Sequence, residues 1–517
     1  MTLDEIVRRN ALRFAHKPAL IWESGSRTWA GLNERVNRLT RVLQAAGLER
    51  GDRVAILLGN CPEYFELYFA CARGGFLAVP LNYRLTAGEA RQILAHADPR
   101  MLVAGQPYLQ FAARLCGDLS GIGELVIVGG AAAPEESKYG GRSYERLIAG
   151  ASAEPVAPCA QELDCFAIFF TSGTTGLPKG AMVSHVNLEA NAYNQFVADG
   201  SRADDVNLVA TPVYHMGAIF MAVTYMMLGC TQVILPQFSA IAWLAALARH
   251  RASVCLLIPT MINALLNEPA FHGSDRSSLR LVFYGGGPMP PAVLERTLRG
   301  FSCGFTQGYG LTETLEATFL VASDHLPDGS AAQRRRLASA GREAVGAEVR
   351  IVGDDGTDAG TGVIGEILIR SRSVISGYWR QPELAAAVLR DGWFCTGDLG
   401  YLDEDRYLYV VDRKTDMVVT GGVNVYTKEV ESVLYQHDGV RESAVFGVPD
   451  DRWGEMLTAA VALHAGRSVT EAELIDFCKE RLAGFKCPKR VVFLAELPKN
   501  PSGKILKREL KPRVKGA

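Results

Sequence analysis

Strand-like and helix-like apolar segments alternate along most of the chain. Leu32, Val36, Leu39 and Leu43 recur at helical spacing, and Gly47 is placed to end that helix. The next predicted elements are a buried strand at 54–58, a helix at 62–74, a strand at 76–79, a helix at 86–97 and a strand at 101–103. The alternation resumes beyond residue 180 and continues to about residue 320. This order favours layered, largely parallel α/β sheets.

The rest of the chain indicates more than one structural unit. With 517 residues the chain is too long for a single core. From 349 to 411 short alternating strands with Gly and Asp turns are predicted. The longest apolar stretch, 218–230, is too short to span a bilayer and predicts a buried helix. Residues 486–517 carry ten Lys or Arg against two Glu, which is typical either of a solvated tail or of a lid that brings cations to an anionic substrate.

The net charge and the cysteines indicate which binding partners and which cellular compartment to expect for the protein. The net charge of −2 gives no overall field for nucleic acid. Eleven cysteines without C-x-x-C pairs or metal-ligand spacing are typical of free thiols in a reducing compartment. The N-terminus lacks the apolar run of a signal peptide. We therefore expect a cytoplasmic protein without an integral membrane segment that acts on small molecules. The sequence leaves a homodimer open.

A loop rich in glycine and hydroxyl residues, TSGTTGLPKG at 171–180, follows an apolar, strand-like run at 165–170. Glycine lets successive N–H groups turn inward as an anion nest, while the hydroxyls and the lysine add donors and charge. A Pro directly before the lysine and a Gly after it distinguish the loop from a Walker A motif. A glycine-rich turn without a ligand is the alternative. The predicted phosphate-binding residues are Thr171, Ser172, Gly173, Thr174, Thr175, Gly176 and Lys179.

Two further segments combine bare backbone with polar groups. In GYGLTE, at 308–313, Tyr309 is suited to stack on a base and Thr312 to bond a phosphate. Glu313 is suited to hold Mg²⁺, which takes one or two carboxylates together with substrate phosphates. A predicted strand at 281–284 runs into the glycines 285–287, where a flat ligand can lie close to the backbone.

Three single residues have both a functional and an ordinary interpretation. Asp398, predicted on a turn, suits a ribose diol but is equally typical of a turn-forming residue. Lys504 follows a Gly turn, where a lone lysine is usually solvated. His215, between Tyr214 and Met216, is more often a packed core residue than a catalytic one.

Together these segments resemble the adenylate-forming superfamily of acyl-CoA synthetases, peptide-synthetase adenylation domains and luciferases. The motifs TSGTTGLPKG, GYGLTE, WFCTGDLG, DRKTDMVVTGGVNVYTKEVE and PKNPSGKILKREL occur in the order and spacing of that family, from about residue 4 to 510. The chain is most similar to the fatty-acyl and aryl-acid CoA ligases. The resemblance implies an α/β multidomain fold. A large N-terminal domain, 1–414, has layered α/β sheets and a small distorted β-barrel, and a small mobile α+β lid domain spans 415–517.

The resemblance also implies roles for matching positions, with ATP, Mg²⁺ and coenzyme A as cofactors. Catalysis is assigned to Lys504, Glu313, Thr171 and His215, with Glu313 as the metal ligand. Beyond the phosphate loop, the implied nucleotide- and CoA-binding residues are Gly286, Gly287, Gln307, Gly308, Tyr309, Gly310, Thr312, Asp398, Arg413, Gly421 and Gly422. The implied acyl-pocket residues are Tyr214, His215, Met216, Gly217 and Gly285.

The implied reaction has two steps. A carboxylate attacks the α-phosphorus of ATP to give acyl-AMP and pyrophosphate, and the CoA thiol then attacks the acyl-AMP. Positioning and charge neutralisation dominate such chemistry. The family rotates its C-terminal domain between the steps. Thr415 stands at the hinge where relatives usually have Asp or Lys, and a stiffer residue there predicts altered rotation kinetics.

The identity of the acid is less constrained by the sequence. Small residues and adaptable apolar ones, among them Phe220, Met226 and Met227, predict a roomy, apolar pocket. The absence of a nearby Arg or Lys in these motifs disfavours dicarboxylates. We expect a medium- or long-chain fatty acid, with aryl or steroid-like acids as alternatives. Transfer of the acyl group to a carrier protein, and a non-catalytic nucleotide-binding protein, stay open as other functions.

Overall fold

The computed structural model describes residues 1–129, 141–171, 178–287, 289, 291–450, 452–499 and 505–515. The α-helices are α1 (Leu3–Arg13), α2 (Trp29–Ala45), α3 (Pro62–Gly74), α4 (Ala87–Ala97), α5 (Leu109–Asp118), α6 (Tyr144–Gly150), α7 (His185–Asp199), α8 (Met216–Met227), α9 (Ala240–His250), α10 (Pro259–Leu266), α11 (Pro291–Gly300), α12 (Ala331–Arg336), α13 (Pro382–Val388), α14 (Thr427–Leu434), α15 (Glu471–Lys479) and α16 (Lys507–Lys515).

The strands are β1 (Pro18–Trp22), β2 (Gly25–Thr28), β3 (Arg53–Leu57), β4 (Leu77–Pro80), β5 (Met101–Gly105), β6 (Glu124–Val128), β7 (Arg142–Ser143), β8 (Cys165–Thr171), β9 (Lys179–Ser184), β10 (Val206–Val209), β11 (Thr231–Ile234), β12 (Val254–Leu257), β13 (Leu281–Tyr284), β14 (Gly304–Leu311), β15 (Leu315–Leu320), β16 (Arg342–Glu343), β17 (Ala347–Val352), β18 (Gly365–Ser371), β19 (Leu389–Arg390), β20 (Trp393–Leu402), β21 (Leu408–Arg413), β22 (Val418–Thr420), β23 (Val423–Val425), β24 (Val440–Asp450), β25 (Gly454–Leu463) and β26 (Arg490–Phe493).

Two large sheets form the N-terminal part. One has seven strands in the order β7-β6-β5-β3-β4-β8-β9, and the other has nine in the order β16-β15-β14-β13-β12-β10-β11-β1-β2. In the seven-stranded sheet β8 and β9 pair antiparallel, while the other described pairs are parallel. In the nine-stranded sheet a parallel centre is flanked by antiparallel pairs. The layered, largely parallel sheets predicted from the strand–helix alternation are confirmed.

Two smaller sheets complete the fold. One has the order β17-β18-β20-β19, and β21 pairs antiparallel with the later residues of β20. The last has the order β23-β22-β25-β24, with β26 parallel to β25. Its buried apolar clusters lie between Val418 and Leu510, so the C-terminal part has its own core. The fold is therefore mixed α/β with a large N-terminal and a small C-terminal domain, while the boundary at 414/415 stays a prediction.

Local signals explain where the predicted helices begin and end. α3 begins at Pro62, whose missing N–H costs nothing in the first turn, and ends before Gly75 at a φ of +70°. α4 begins after Thr86, which forms a capping box with Glu89. Within 349–411, where short strands are predicted, helix α13 is an addition that the sequence pattern missed. Its sequence, PELAAAV, places Pro at the first turn ahead of good helix formers.

Two predictions about thiols and membranes can be compared with the structure. All eleven cysteines are free. Within the described residues, no helix is both long and apolar enough to cross a membrane. The apolar stretch at 218–230 forms most of α8, whose residues are largely buried.

A buried ion pair connects the first three helices. Arg73 of α3 donates from Nε to Asp4 Oδ1 of α1 at 2.5 Å, and both side chains are fully buried. The guanidinium also donates to Asn37 Oδ1 at 2.6 Å and to Asn33 Oδ1 at 2.8 Å, both on α2. Asp4 also pairs with the partly exposed Arg8 through Oδ2 at 2.7 Å, but without Arg73 its Oδ1 loses a fully buried partner, and removal of one member of a buried pair is strongly destabilising.

We therefore predict that Arg73→Met destabilises the protein by about 3–5 kcal/mol. Arg9→Met is the matched control, since Arg9 is largely exposed and pairs with Glu5 at 3.4 Å; it should change the free energy of unfolding by at most about 1 kcal/mol. Urea unfolding followed by fluorescence measures both values. Equal effects of the two substitutions would contradict a special role for the Arg73–Asp4 pair.

Candidate active site

The loop after β13 lies against β14 with almost no space between the two backbones. The strands pair in parallel, with Tyr284 opposite Gln307. A Cβ atom on Gly285 would lie 2.8 Å from the carbonyl oxygen of Gly308, closer than real Cβ atoms come. Gly286 has a φ of +74°, which favours glycine. A Cβ atom on Gly287 would meet no atom within 4 Å, so this part of the loop borders open space.

The glycines within β14 are required by packing as well. A Cβ atom on Gly310 would lie 1.5 Å from the carbonyl oxygen of Leu315 in β15, and one on Gly308 would lie 2.4 Å from Phe283 Cζ. Thr312 and Glu313 lie in the short turn that joins β14 to β15. The turn is closed by a hydrogen bond of 2.9 Å from the Leu311 N–H to Thr314 Oγ1. Thr312 and Glu313 therefore lie at the end of β14, the strand against which the glycine loop packs.

Asp398, Tyr309 and Arg413 meet although they are far apart in sequence. The Tyr309 hydroxyl donates to Asp398 Oδ2 at 2.9 Å, and Arg413 Nε lies 3.3 Å from Asp398 Oδ1. The prediction that Asp398 lies on a turn is wrong: it lies within β20, directly opposite Arg413 of β21. A glycine directly before Asp398 suggests a turn. Gly397 does have a φ of +71°, but it lies inside a strand whose pairing with β21 contains a register shift. The carboxylate is almost completely buried.

Tyr378 connects Glu313 to the strands that flank the predicted phosphate loop. The Tyr378 hydroxyl donates to Glu313 Oε1 at 2.9 Å, and Lys179 Nζ lies 5.9 Å from the centre of the Tyr378 ring. Thr171 and Lys179 are opposite each other where β8 ends and β9 begins. The Trp379 N–H donates to the Gly180 carbonyl oxygen at 2.8 Å, which holds the Tyr378 segment against β9.

This arrangement fits a Mg²⁺–phosphate site. Mg²⁺ is usually held by one or two carboxylates, and substrate phosphates supply further oxygen ligands. Glu313 offers one carboxylate, and Lys179 offers a cation for the phosphates nearby. Within the described residues, no group of three or more His, Cys, Asp or Glu forms a metal site of its own.

His215 directly precedes α8, in the segment predicted to line the acyl pocket. Its ring lies 4.4 Å from the Tyr214 ring, centre to centre. Burial, and then the charge of Arg84, lower the pKa of His215 to about 4, so the imidazole is neutral near pH 7. Its Nε2 is buried and has no partner among the described residues. Met216 and Gly217 form the first turn of α8.

The remaining predicted residues lie elsewhere or outside the described part. Gly421 and Gly422 form the turn between β22 and β23, both with positive φ, and the Gly421 N–H donates to the Trp453 carbonyl oxygen at 2.9 Å. The described contacts of this turn are thus within the C-terminal sheet and not with the residues around Glu313. Outside the described residues lie Ser172, Gly173, Thr174, Thr175, Gly176 and Lys504.

Two residues at the site were missed by the sequence analysis. Tyr378 lies in SGYW, an isolated aromatic segment without a periodic signal, and only its contact with Glu313 reveals it. Glu316 is a buried carboxyl in β15, within the apolar strand sequence LEATFL. An ionisable residue inside an apolar strand is unusual, and Glu316 could have been identified from the sequence on that ground.

Two family models match the chain. The model for AMP-binding enzymes matches residues 7–379, and the model for the AMP-binding enzyme C-terminal domain matches residues 429–504. Among curated proteins, the chain is 37% identical to the feruloyl-CoA synthase of an Amycolatopsis species over 507 residues, covering 98% of this chain and 97% of that protein. It is 34% identical to the long-chain-fatty-acid–CoA ligase FadD13 of Mycobacterium tuberculosis, covering 94% of this chain and 92% of that protein.

The fold is also similar to that of solved structures. The ATP-bound MatB from Rhodopseudomonas palustris superposes with a TM-score of 0.88 at 32% sequence identity, covering 100% of this chain and 99% of that one. The similarity therefore extends over both the large and the small part of the chain.

We predict that Gly285→Ala destabilises the protein by about 1–3 kcal/mol, because its Cβ atom would force β13 and β14 apart. Gly287→Ala is the matched control, since its Cβ atom meets open space. Thermal unfolding without ligands measures both. A loss at position 287 equal to that at 285 would show that the cost arises from loss of glycine itself and not from the contact with Gly308.

Proposed function

The chain belongs to the AMP-binding enzyme family and is an AMP-forming acid–thiol ligase that uses ATP, Mg²⁺ and coenzyme A; on that basis, we propose that its acid is a bulky, largely apolar monocarboxylic acid. A medium- or long-chain fatty acid and an aryl acid both meet this description. The feruloyl-CoA synthase and the long-chain-fatty-acid–CoA ligase among the relatives each support one of the two classes.

The observation that carries this proposal is the apolar wall that α8 forms beside His215. No cation is expected near this segment from the sequence motifs, but the charge of Arg84 acts on the His215 imidazole. Met216 and Phe220 of α8 are almost fully buried. The Phe220 ring meets the Phe283 ring edge to face at 5.9 Å between centres. A Cβ atom at Gly217 would come into ordinary contact with Leu256 at 3.5 Å and Phe220 at 3.9 Å, so the surroundings of this turn of α8 are apolar. Contact with these apolar side chains would favour binding of an acid whose chain or ring is apolar, because apolar area is removed from water.

The residues of the site can share the adenylation step as follows. Asp398, oriented by Tyr309 and Arg413, accepts hydrogen bonds from the ribose hydroxyls. Lys179 and the loop that starts at Thr171 bind the β- and γ-phosphates. Glu313 would hold Mg²⁺, which neutralises charge on the phosphate oxygens when it is bound. The acid's carboxylate then attacks the α-phosphorus, and the bond to pyrophosphate breaks.

Two further residues complete the proposed mechanism. Lys504 contacts the α-phosphate and the attacking carboxylate, where its charge offsets the negative charge that develops. Neutral His215 lies at the entrance of the acyl pocket and orients the carboxylate by hydrogen bonding. In the second step the CoA thiol, after loss of its proton, attacks the acyl carbon and AMP leaves.

The domain movement also remains a proposal. We place the boundary between domains 1–414 and 415–517 at the turn that follows β21, where Lys414 donates its N–H to the Gly397 carbonyl oxygen at 2.8 Å and its Nζ to Glu366 Oε2 at 3.1 Å. Rotation about Thr415 would bring the Gly421–Gly422 turn to the CoA channel. The free cysteines favour a cytoplasmic location for the enzyme.

Substrate profiling tests the proposed acid class. Pyrophosphate release is measured with ATP, Mg²⁺ and a panel of fatty, aryl and dicarboxylic acids, with and without CoA, and the products are identified by mass. We expect acyl-CoA and AMP from bulky monocarboxylic acids. Turnover restricted to dicarboxylates would contradict the apolar pocket. Acyl-AMP that accumulates despite CoA, and is discharged by a phosphopantetheinyl carrier, would instead show a carrier-protein acceptor.

Lys504→Ala tests the division between the two steps. We expect loss of adenylation by about 10²–10³-fold, the cost of removing one charge-stabilising group, while CoA transfer from supplied acyl-AMP is largely retained. Lys499→Ala is the control, because Lys499 pairs with Glu442 within the C-terminal part. Single-turnover assays of each step separate the effects. If both steps fall equally in Lys504→Ala, its assigned role is wrong.

A further inference from the structure

Glu316 has an unusual environment for a carboxyl group. It lies on β15 and is about nine-tenths buried, and its Oε2 has no hydrogen-bond partner among the described residues. A Cβ atom on Gly308 would lie 2.5 Å from this oxygen, so the carboxyl lies against the backbone of β14. A buried polar atom without a partner is costly, and such atoms are commonly satisfied by a ligand or an ordered water.

A second unpartnered group lies next to it. Asn191 of α7 accepts the Glu316 N–H through Oδ1 at 2.9 Å, while its Nδ2 is buried without a partner among the described residues. An unpartnered acceptor on Glu316 and an unpartnered donor on Asn191 therefore belong to two residues that are in direct hydrogen-bond contact. The charge that acts on the Glu316 carboxyl is that of Asp199, which, after burial, raises its pKa.

Contacts between α7 and α8 show where Asn191 lies relative to Gly217 of the proposed acyl pocket. Gln195 of α7 donates to Met221 Sδ of α8 at 2.9 Å, and one turn further on Asp199 accepts from the Tyr225 hydroxyl at 3.5 Å. The helices thus run side by side in the same direction. One turn back along both helices, Asn191 lies at the level of Gly217.

Aromatic groups and a glycine complete the surroundings. Phe283 lies close to Gly308 on the same side as Glu316, and its ring meets that of Phe220. Gly217 carries no side chain on the α8 side, where a Cβ atom would come into ordinary contact with Leu256 and Phe220. Glu316 and Asn191 therefore bring polar atoms to an aromatic and apolar part of the wall of the proposed acyl pocket.

We propose that Glu316 and Asn191 form a hydrogen-bonding site in the wall of the acyl pocket, and that the enzyme selects an aryl acid that carries a hydroxyl group over the unsubstituted acid. This inference rests on the proposed function, whose substrate class it narrows. The paired rings suit an aromatic body, since such rings attract each other edge to face. A hydroxyl can donate to one of the two side chains and accept from the other.

The protonation state of Glu316 supports a neutral partner over a charged one. Burial, and then the nearby Asp199, raise the pKa of Glu316 to about 8, so the carboxyl is neutral near pH 7. A neutral carboxyl both donates and accepts hydrogen bonds. A second substrate carboxylate would be repelled by Asp199 and, after ionisation, by Glu316.

The test compares matched acids in the complete enzyme. Cinnamic acid and its 2-, 3- and 4-hydroxy derivatives are assayed for kcat/KM of acyl-CoA formation with ATP, Mg²⁺ and CoA. In the wild type we expect at least one hydroxy acid to be preferred by about tenfold or more, the value of one buried hydrogen bond. Glu316→Leu should abolish this preference and keep activity on cinnamic acid, whereas Glu316→Gln, which still donates and accepts, should retain most of it.

Glu189→Gln is the matched control, since Glu189 also lies on α7 but pairs with the N-terminal ammonium group at 2.8 Å; it should leave the preference unchanged. Activity of Glu316→Leu on cinnamic acid shows that this variant is folded. The inference is overturned if the wild type does not distinguish the acids, if Glu316→Leu keeps the preference, or if acids with an ammonium group are preferred. Absence of ligase activity with every acid would instead refute the proposed function.

Discussion

Close backbone contact among β13, β14 and β15 is the constraint on which the rest of the site depends. Gly285, Gly308 and Gly310 are glycines because a Cβ atom at any of them would collide with a neighbouring strand or side chain. The contact allows the short turn between β14 and β15, which carries Glu313. It also fixes the two faces of β14, so that Tyr309 reaches Asp398 while Gly308 leaves space for the Glu316 carboxyl on the opposite side.

The site is assembled from three sheets, each of which contributes a few side chains. The seven-stranded sheet supplies Thr171 and Lys179, the nine-stranded sheet supplies Tyr309, and the sheet of β17–β21 supplies Asp398. Single hydrogen bonds join these elements, such as the one from Tyr309 to Asp398 across 89 residues of sequence. Because each side chain extends from a paired strand or its end, the pairing of strands positions the groups before any ligand binds.

Buried polar groups in this protein fall into two kinds. Arg73 and Asp4 are buried as a pair, with further hydrogen bonds from α2, so their charges are compensated and they join helices. Glu316 and Asn191 are buried with one atom each left unpartnered within the described residues. The first kind explains stability without reference to a ligand. The proposed hydroxylated acid would bring the missing partner to Glu316 and Asn191.

The sequence by itself determined the layered α/β architecture and the family, and it predicted a phosphate loop from a cluster of glycine and hydroxyl residues. Those features depend on local periodicity and on short motifs, as in α3 and the 308–313 segment. Only the tertiary structure decided that Asp398 lies in a strand opposite Arg413, that Tyr378 bonds Glu313, and that Glu316 is buried beside Asn191. These contacts join residues 15, 65 and 125 positions apart. They depend on strand pairing and on which face of a strand is turned inward, and a local pattern encodes neither property.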